Sequence, residues 1–301
     1  MGCKCGKYLD DDRVPDSPDN PQPNNIGGEH IELIDRFSIP NESQDTTLSK
    51  MLHCVHRFIW QGNFSSPVEE RLKAGNARVL NVRCGDGAWL LDNALQYQSS
   101  NFFGCDVIVP MLQHNVSQLN SSFLQANILD GFRYDKNTFD FVYLQFGSYS
   151  YTENEWKEKV IKELVRVCKP GGWIEIMDCE NKFYNEHETT KRLGNAYRLY
   201  LESKCINPLI SSRFEELLRG TNQINNIQRK EKICILGDKG GKAGKYLLQD
   251  IVTTWQSSRV VISESMGITI DEYNKLIQAF TNEVNKFKTS IKFLRVYGQK
   301  A

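Results

Sequence analysis

The stretch Arg78-Val79-Leu80-Asn81-Val82-Arg83-Cys84-Gly85-Asp86-Gly87-Ala88-Trp89 decides the fold. Its apolar start has the length and composition of a buried strand, and it breaks at two glycines before a helix-forming run that extends to Tyr97. Glycines between a strand and a helix let the backbone pass close to a ligand, and the helix N-terminus offers free N–H groups to a negative or polar one. Downstream, Phe103-Gly104-Cys105-Asp106 ends a second apolar run with an acid about twenty residues on, the spacing at which a carboxylate reaches ribose hydroxyls in a Rossmann-type unit. The third glycine of a dinucleotide fingerprint would fall at Leu90, so that pattern is incomplete.

The alternation continues outward. Arg78 to Val82, Phe102 to Asp106, Ser122 to Ala126, Phe139 to Leu144 and Trp173 to Met177 read as strands, separated by helical stretches such as Ala88 to Tyr97 and Glu155 to Cys168. Short apolar strands alternating with helices predict a parallel sheet covered on both faces. Lys169-Pro170-Gly171-Gly172 reads as a helix stop and turn. Beyond Asp178 the pattern is mostly helical, with strands at Ile227 to Leu236 and Ile291 to Tyr297 and a capping box at Thr269 to Glu272. Upstream, Leu48, Met51, Leu52, Val55, Phe58 and Ile59 recur at the spacing of an amphipathic helix between residues 47 and 64. Lys239-Gly240-Gly241-Lys242-Ala243-Gly244-Lys245-Tyr246 lacks the first glycine and the Ser/Thr of a phosphate loop and reads as a helix entry.

Composition narrows the classes. The 37 basic and 37 acidic side chains cancel, so no net field draws the chain to nucleic acid or an anionic membrane. No run of about 18 uncharged apolar residues occurs, and the N-terminus has no signal-like apolar region. The nine cysteines are scattered and odd in number, which fits small core residues in a reducing, intracellular setting better than a disulfide framework or a metal site. The expected location is cytoplasmic, with the nucleus left open. Residues 1–46 are acidic, hold five of the nine prolines and have few large apolar groups, the signature of a disordered tail. Met1-Gly2-Cys3-Lys4-Cys5-Gly6 adds a candidate membrane tether: a myristoylated Gly2 with palmitoylated Cys3 and Cys5, although Gly6 stands where Ser/Thr is expected.

The ordered set NVRCGDGAW, FFGCD, LQANIL, FDFVYLQF and RVCKPGGWIEIMD, spread from Ala77 to Asp178, resembles the motifs of class I S-adenosylmethionine-dependent methyltransferases. The likeness is greatest to fungal methyltransferases related to regulators of secondary metabolism, and it extends through Trp60-Gln61-Gly62-Asn63-Phe64 into the C-terminal half. It implies an α/β, Rossmann-like fold with a seven-stranded, mostly parallel sheet, an antiparallel last strand and an added helical lid. The methyltransferase domain would span residues 47–301, with its core at 77–178 and helical additions at 47–64 and 189–287.

The same resemblance implies S-adenosyl-L-methionine as cofactor and a site for it. Gly85 and Gly87 would line its methionine and ribose parts, Asp106 would bind the ribose, and Asn127 and Ile128 would flank the adenine. Tyr143, Leu144 and Gln145, with Phe146 and Tyr149, would face the methyl group, with Tyr143, Gln145 and Tyr149 as catalytic candidates and Glu180 and His187 as further ones. The sequence departs from the family at Asn81, where an acid is usual, and at Arg83, where the first glycine is usual. Asn127 replaces a frequent Asp, and Gln145 a frequent Arg. Asn81 keeps an acceptor for the cofactor's ammonium group without the charge, and Arg83 would either pair with its carboxylate or repel its sulfonium.

Three readings stay open: a methyltransferase acting on a small molecule or protein side chain, a degenerate relative serving as a cofactor-binding or cofactor-free scaffold, and a nucleotide-dependent oxidoreductase. The chain has neither an N-P-P-[Y/F/W] signature nor a basic aromatic stripe, so a nucleic-acid substrate is not expected. Oligomeric state is not legible.

Overall fold

The computed structural model describes residues 47–108 and 120–301. The disordered tail expected over residues 1–46, with Gly2, Cys3 and Cys5, lies outside the described residues.

The expected strands form one seven-stranded sheet: β1 (Arg78–Val82), β2 (Asn101–Asp106), β3 (Ser121–Gln125), β4 (Phe139–Gln145), β5 (Cys168–Cys179), β6 (Ile224–Ile235) and β7 (Ser290–Lys300). Their order is β3-β2-β1-β4-β5-β7-β6. Pairing is parallel from β3 through β5, and β7 runs antiparallel to both β5 and β6. The chain reverses direction across the sheet on either side of β1 and β4, so the loops after these strands open a crevice at their C-terminal ends, the usual ligand position in such sheets.

The boundary at Lys169 to Gly172 differs from the sequence reading. Lys169 to Gly172 do not separate a helix from a distinct strand but bulge out within β5, between the pairs Phe139↔Cys168 and Phe141↔Trp173. Gly171 takes φ of 75° there, and a Cβ on Gly172 would lie 2.9 Å from the Asp140 carbonyl oxygen. The glycines therefore let the strand resume beside β4 after the interruption.

Two layers of helix cover the sheet. On one face lie α1 (Leu48–Trp60), α2 (Glu69–Lys73), α3 (Ala88–Gln96), α6 (Glu188–Ser203), α8 (Gly241–Ser257), α9 (Arg259–Ser265) and α10 (Ile270–Lys286). They bury Val55, Trp89, Tyr143, Trp255 and Phe280 in one core. On the other face, α4 (Glu153–Glu155) runs through a π turn at Trp156–Val160 into α5 (Ile161–Val167), and α7 (Phe214–Arg219) lies beside them. These helices bury Leu80, Trp156, Leu164 and Phe214 against Val142 and Ile176.

The turn after α1 is tied to the sheet by a buried ion pair. Arg295 of β7 and Glu175 of β5 approach to 3.4 Å, with side chains 2% and 0% exposed. Glu175 accepts hydrogen bonds from the Ser65 and Ser66 amides and the Ser66 hydroxyl at 2.7–3.0 Å. Arg295 donates to the carbonyls of Gly62 and Asn63 and lies 4.6 Å from the Trp60 ring. The Trp60 to Phe64 segment thus serves to seat α1 on the sheet. Asp92 of α3 fixes the helix itself, accepting from Arg57 at 3.0 Å and from Asn63 at 2.9 Å, with His53 at 3.2 Å.

Candidate active site

The loop after β1 is built by three left-handed residues. Arg83, Gly85 and Gly87 have φ of 57°, 54° and 81°, and the turn closes through Cys84 N–H to the Cys105 carbonyl and Gly87 N–H to the Cys84 carbonyl. A Cβ on Gly87 would lie 2.7 Å from the Phe123 ring, so β3 packs directly on the loop. A Cβ on Gly85 would meet nothing within 4 Å, leaving open space over that backbone.

Asp106 ties this loop to the end of β2. Its carboxylate accepts from Gly85 N–H at 2.9 Å and from Val107 N–H at 2.7 Å. Beside it is a cavity of about 220 Å³ whose walls include Arg83, Asp106, Asn127, Ile128 and Tyr151. Ile128 is almost sealed, and Asn127 caps the turn that follows β3 by accepting from Leu129 N–H at 3.0 Å. The structure therefore brings Arg83, Asp106, Asn127 and Ile128 to one cavity, with Gly85 hydrogen-bonded to its wall.

Asn81 lies deeper, fully buried in β1, and its side-chain carbonyl oxygen has no hydrogen-bond partner. An orphaned buried acceptor at the end of this strand is unfavourable by about 1–3 kcal/mol unless a ligand donor reaches it. The Arg83 side chain already has protein partners: Nη1 donates to the Phe146 carbonyl and to Ser150 Oγ, and its guanidinium lies 6.0 Å from the Tyr151 ring. It spans from the β1 loop to the β4 loop.

The catalytic candidates separate. Tyr143 is not at the strand ends. Register places it opposite Asn81 and Glu175 on the face under α3, where it is fully buried, stacks on Trp89 at 4.2 Å and donates to Met177 Sδ at 3.1 Å. Strand alternation carried it into the core. Gln145 ends β4 half-buried, and Tyr149 lies beyond it with its ring 5.9 Å from Tyr197 of α6. Of the other candidates, Glu180 is held by Tyr184, Arg229 and Lys292. His187 stacks on Phe287 at 3.5 Å.

Two groups near the strand ends escape the sequence reading. His56 of α1 sits 4.9 Å from the Phe146 ring and 5.1 Å from Phe293, and burial, with smaller contributions from the charges of His53 and Arg295, lowers its pKa to about 3. The signal was its position on the stripe Leu52, Val55, Ile59, where a polar residue is unusual. Asp250 of α8 is pushed up to about 6 by burial, and its charge acts on Tyr149, Cys179 and Tyr197. One acid on a long helix carries no sequence signal of its own. Asp178, at the end of the last matched motif, also rises to about 6 through burial, tempered by bonds from the amides of Cys179 and Ser148 at 2.8 and 3.0 Å. Among the described residues no cluster of three metal-ligating side chains occurs, and no helix is long and apolar enough to cross a membrane.

Comparison with known proteins finds methyltransferases. A family model described as a methyltransferase domain matches residues 79–172. Methyltransferase pytC of Aspergillus terreus is 23% identical over 154 residues, which are 51% of this chain and 45% of that protein. The chain thus spans about half the length of that relative. N-methyltransferase verN of Clonostachys rogersoniana is 20% identical over 275 residues, 88% of this chain and 92% of that one. Among solved structures, a phosphoethanolamine N-methyltransferase of Haemonchus contortus with bound S-adenosylhomocysteine aligns with a TM-score of 0.49 at 13% identity, covering 82% of this chain and 56% of that one. The family match begins one residue inside β1 and ends in the β5 bulge, enclosing the glycine loop, Asp106 and Asn127; over this segment the chain is similar to a methyltransferase domain.

Proposed function

We propose that the protein binds S-adenosyl-L-methionine and transfers its methyl group to a small molecule or a protein side chain. The carrying observation is the assembly of Asp106, tied to Gly85 N–H, with the cavity that Asn127 and Ile128 line. The donor set fits the cofactor: the Asp106 carboxylate for ribose hydroxyls, the buried apolar Ile128 for adenine, and the orphaned Asn81 oxygen for an ammonium group. When bound, the cofactor supplies a methyl carbon activated by its sulfonium. The chain then has to align the nucleophile and exclude water, so the absence of a nucleophile–base triad does not argue against transfer. The name of verN supports nitrogen as the acceptor atom.

The scaffold reading keeps one specific observation in its favour, the engagement of Arg83 with the Phe146 carbonyl and Ser150 where a glycine is usual. Calorimetric titration with S-adenosylmethionine, S-adenosylhomocysteine and NAD separates the readings. The methyltransferase reading expects micromolar binding of the first two, lost in Asp106→Ala. Binding of NAD alone would support the oxidoreductase, and binding of none of them the cofactor-free scaffold.

A further inference from the structure

The cavity beside Asp106 holds only part of what the whole cofactor would need. Val82, Asp106, Asn127 and Ile128 line it, a set suited to a sugar and a flat base. Val82 belongs to the core on that face of the sheet. Strand alternation turns its neighbour Asn81 to the other face, where Tyr143 lies opposite it in β4 and stacks on Trp89. The unpartnered Asn81 oxygen, on a residue of 0% exposure, is therefore no part of the cavity wall. Among the described residues, the wall includes neither Gly85, Gly87 nor Gln145. Its volume of about 220 Å³ lies below the roughly 300–1,000 Å³ of pockets that enclose a drug-sized ligand. It suits a nucleoside better than a nucleoside with an amino-acid tail.

Arg83 closes the remaining way. It stands in the cavity wall, and from the β1 loop its Nη1 donates to the Phe146 carbonyl at 2.5 Å and to Ser150 Oγ, both in the loop after β4. Tyr151, next in that loop, also lines the cavity, with its ring 6.0 Å from the guanidinium. Because β1 and β4 are adjacent strands, this bridge crosses the crevice at their C-terminal ends. A tail running from a ribose at Asp106 toward an ammonium partner at Asn81 has to cross it. Two charge-assisted hydrogen bonds then break, which offsets what the tail's own contacts contribute. A nucleoside that stops at the ribose leaves them intact.

Resting on the methyltransferase reading for the identity of the tailed ligand, we propose that Arg83 sets the specificity of this cavity. It is a site for adenine nucleosides, which bind as tightly as the tailed molecule and compete with it. Nucleosides without the amino-acid tail therefore inhibit methyl transfer.

The test is calorimetric titration of the full-length protein with S-adenosylhomocysteine and with methylthioadenosine, which keeps the adenosine and the sulfur but lacks the amino-acid tail. The expected result is that the two affinities agree within threefold and that each ligand displaces the other. In Arg83→Gly, S-adenosylhomocysteine should bind threefold to tenfold tighter while methylthioadenosine changes less than twofold. Ser150→Ala removes one partner of Arg83 without touching the β1 loop, so it should move the ratio the same way and decides the matter if Arg83→Gly fails to fold. A preference for S-adenosylhomocysteine above threefold in the wild type, or a ratio that the variants leave unchanged, overturns the proposal and leaves the methyltransferase reading standing. Looser binding of S-adenosylhomocysteine in Arg83→Gly also overturns it, by making the guanidinium a partner of the tail. Binding of methylthioadenosine alone would support the nucleoside site and strike the methyltransferase reading, and binding of neither overturns both.

Discussion

Arg83 and Phe146, both in the left-handed region at φ of 57° and 52°, are joined by a hydrogen bond from the guanidinium of the first to the carbonyl oxygen of the second. A non-glycine residue in this region costs roughly 1–2 kcal/mol, so two strained positions face each other across the strand ends, linked by the Arg83 side chain. Arg83→Gly relieves one strain and opens the groove between the loops, at the loss of the bonds to Phe146 and Ser150. These effects oppose each other in stability, so Tm should move by only a few degrees. Affinity for S-adenosylmethionine, read by calorimetry, should rise about threefold to tenfold, a change of about 0.6–1.4 kcal/mol. Weaker binding would show that the guanidinium is a ligand for the cofactor carboxylate.

The backbone geometry of the β1 loop was legible because glycine and acid positions report on it. Gly85, Gly87 and Asp106 stand at positive φ and at a strand end, constraints that leave marks on a sequence. Tyr143 was misplaced because the period of two says only that neighbours face opposite ways, and the face is set by which helices cover it. His56 and Asp250 were missed for a related reason. His56 packs on rings from the loop after β4 and from β7, brought close by the fold from far along the chain, Asp250 is set apart only by its burial, and no local spacing encodes either. Lys169 to Gly172 read as a helix stop and turn, but the register of β5 on β4 shows that the strand ladder starts before them and that they bulge within it.

The buried pair Glu175 and Arg295 gives a prediction about stability. Removing one partner leaves an uncompensated charge in the interior, typically a loss of about 3–5 kcal/mol. Glu175→Ala also strands the amides of Ser65 and Ser66. Urea unfolding followed by fluorescence should show that loss, and Arg295→Met combined with Glu175→Ala should recover part of it. Equal destabilisation in the single and double variants would mean the carboxylate matters to the amides alone.

Gly85 and Gly104 differ in what an added methyl group would meet. Gly85→Ala places a methyl group in open space at φ of 54°, so its stability loss should stay near the roughly 1–2 kcal/mol of left-handed strain while cofactor affinity falls at least tenfold. Gly104→Ala puts a Cβ 2.9 Å from both Leu90 and Phe123 and 3.0 Å from Cys84 Sγ. That is overpacking of about 1–3 kcal/mol, with affinity falling less than in Gly85→Ala. Thermal melts and calorimetry on the two variants would check the contrast, and an unchanged affinity in Gly85→Ala would place the cofactor elsewhere.

His56 makes stability depend on pH in a definite direction. Its folded pKa is lowered from 6.5 to about 3, chiefly by burial, so between those values the unfolded chain binds more protons than the native one. Stability from this residue is fully present above about pH 6.5 and is lost as pH falls toward 3, at up to about 1.4 kcal/mol per pH unit for one proton. Asp178 and Asp250 act in the opposite sense. Their pKa values rise from 3.8 to about 6, so the native state binds more protons between those limits and their contribution falls as pH rises. The net wild-type profile is therefore flatter than His56 alone would give. His56→Gln isolates the histidine, since both acids and the charged neighbour Arg295 remain, with His53 still beside Asp92. The difference in unfolding free energy between wild type and variant should shift against the wild type by about 1 kcal/mol or more per pH unit from pH 6.5 to 4, measured by urea denaturation at each pH. A difference that stays constant over that range would mean the imidazole is protonated in the native state or freely hydrated.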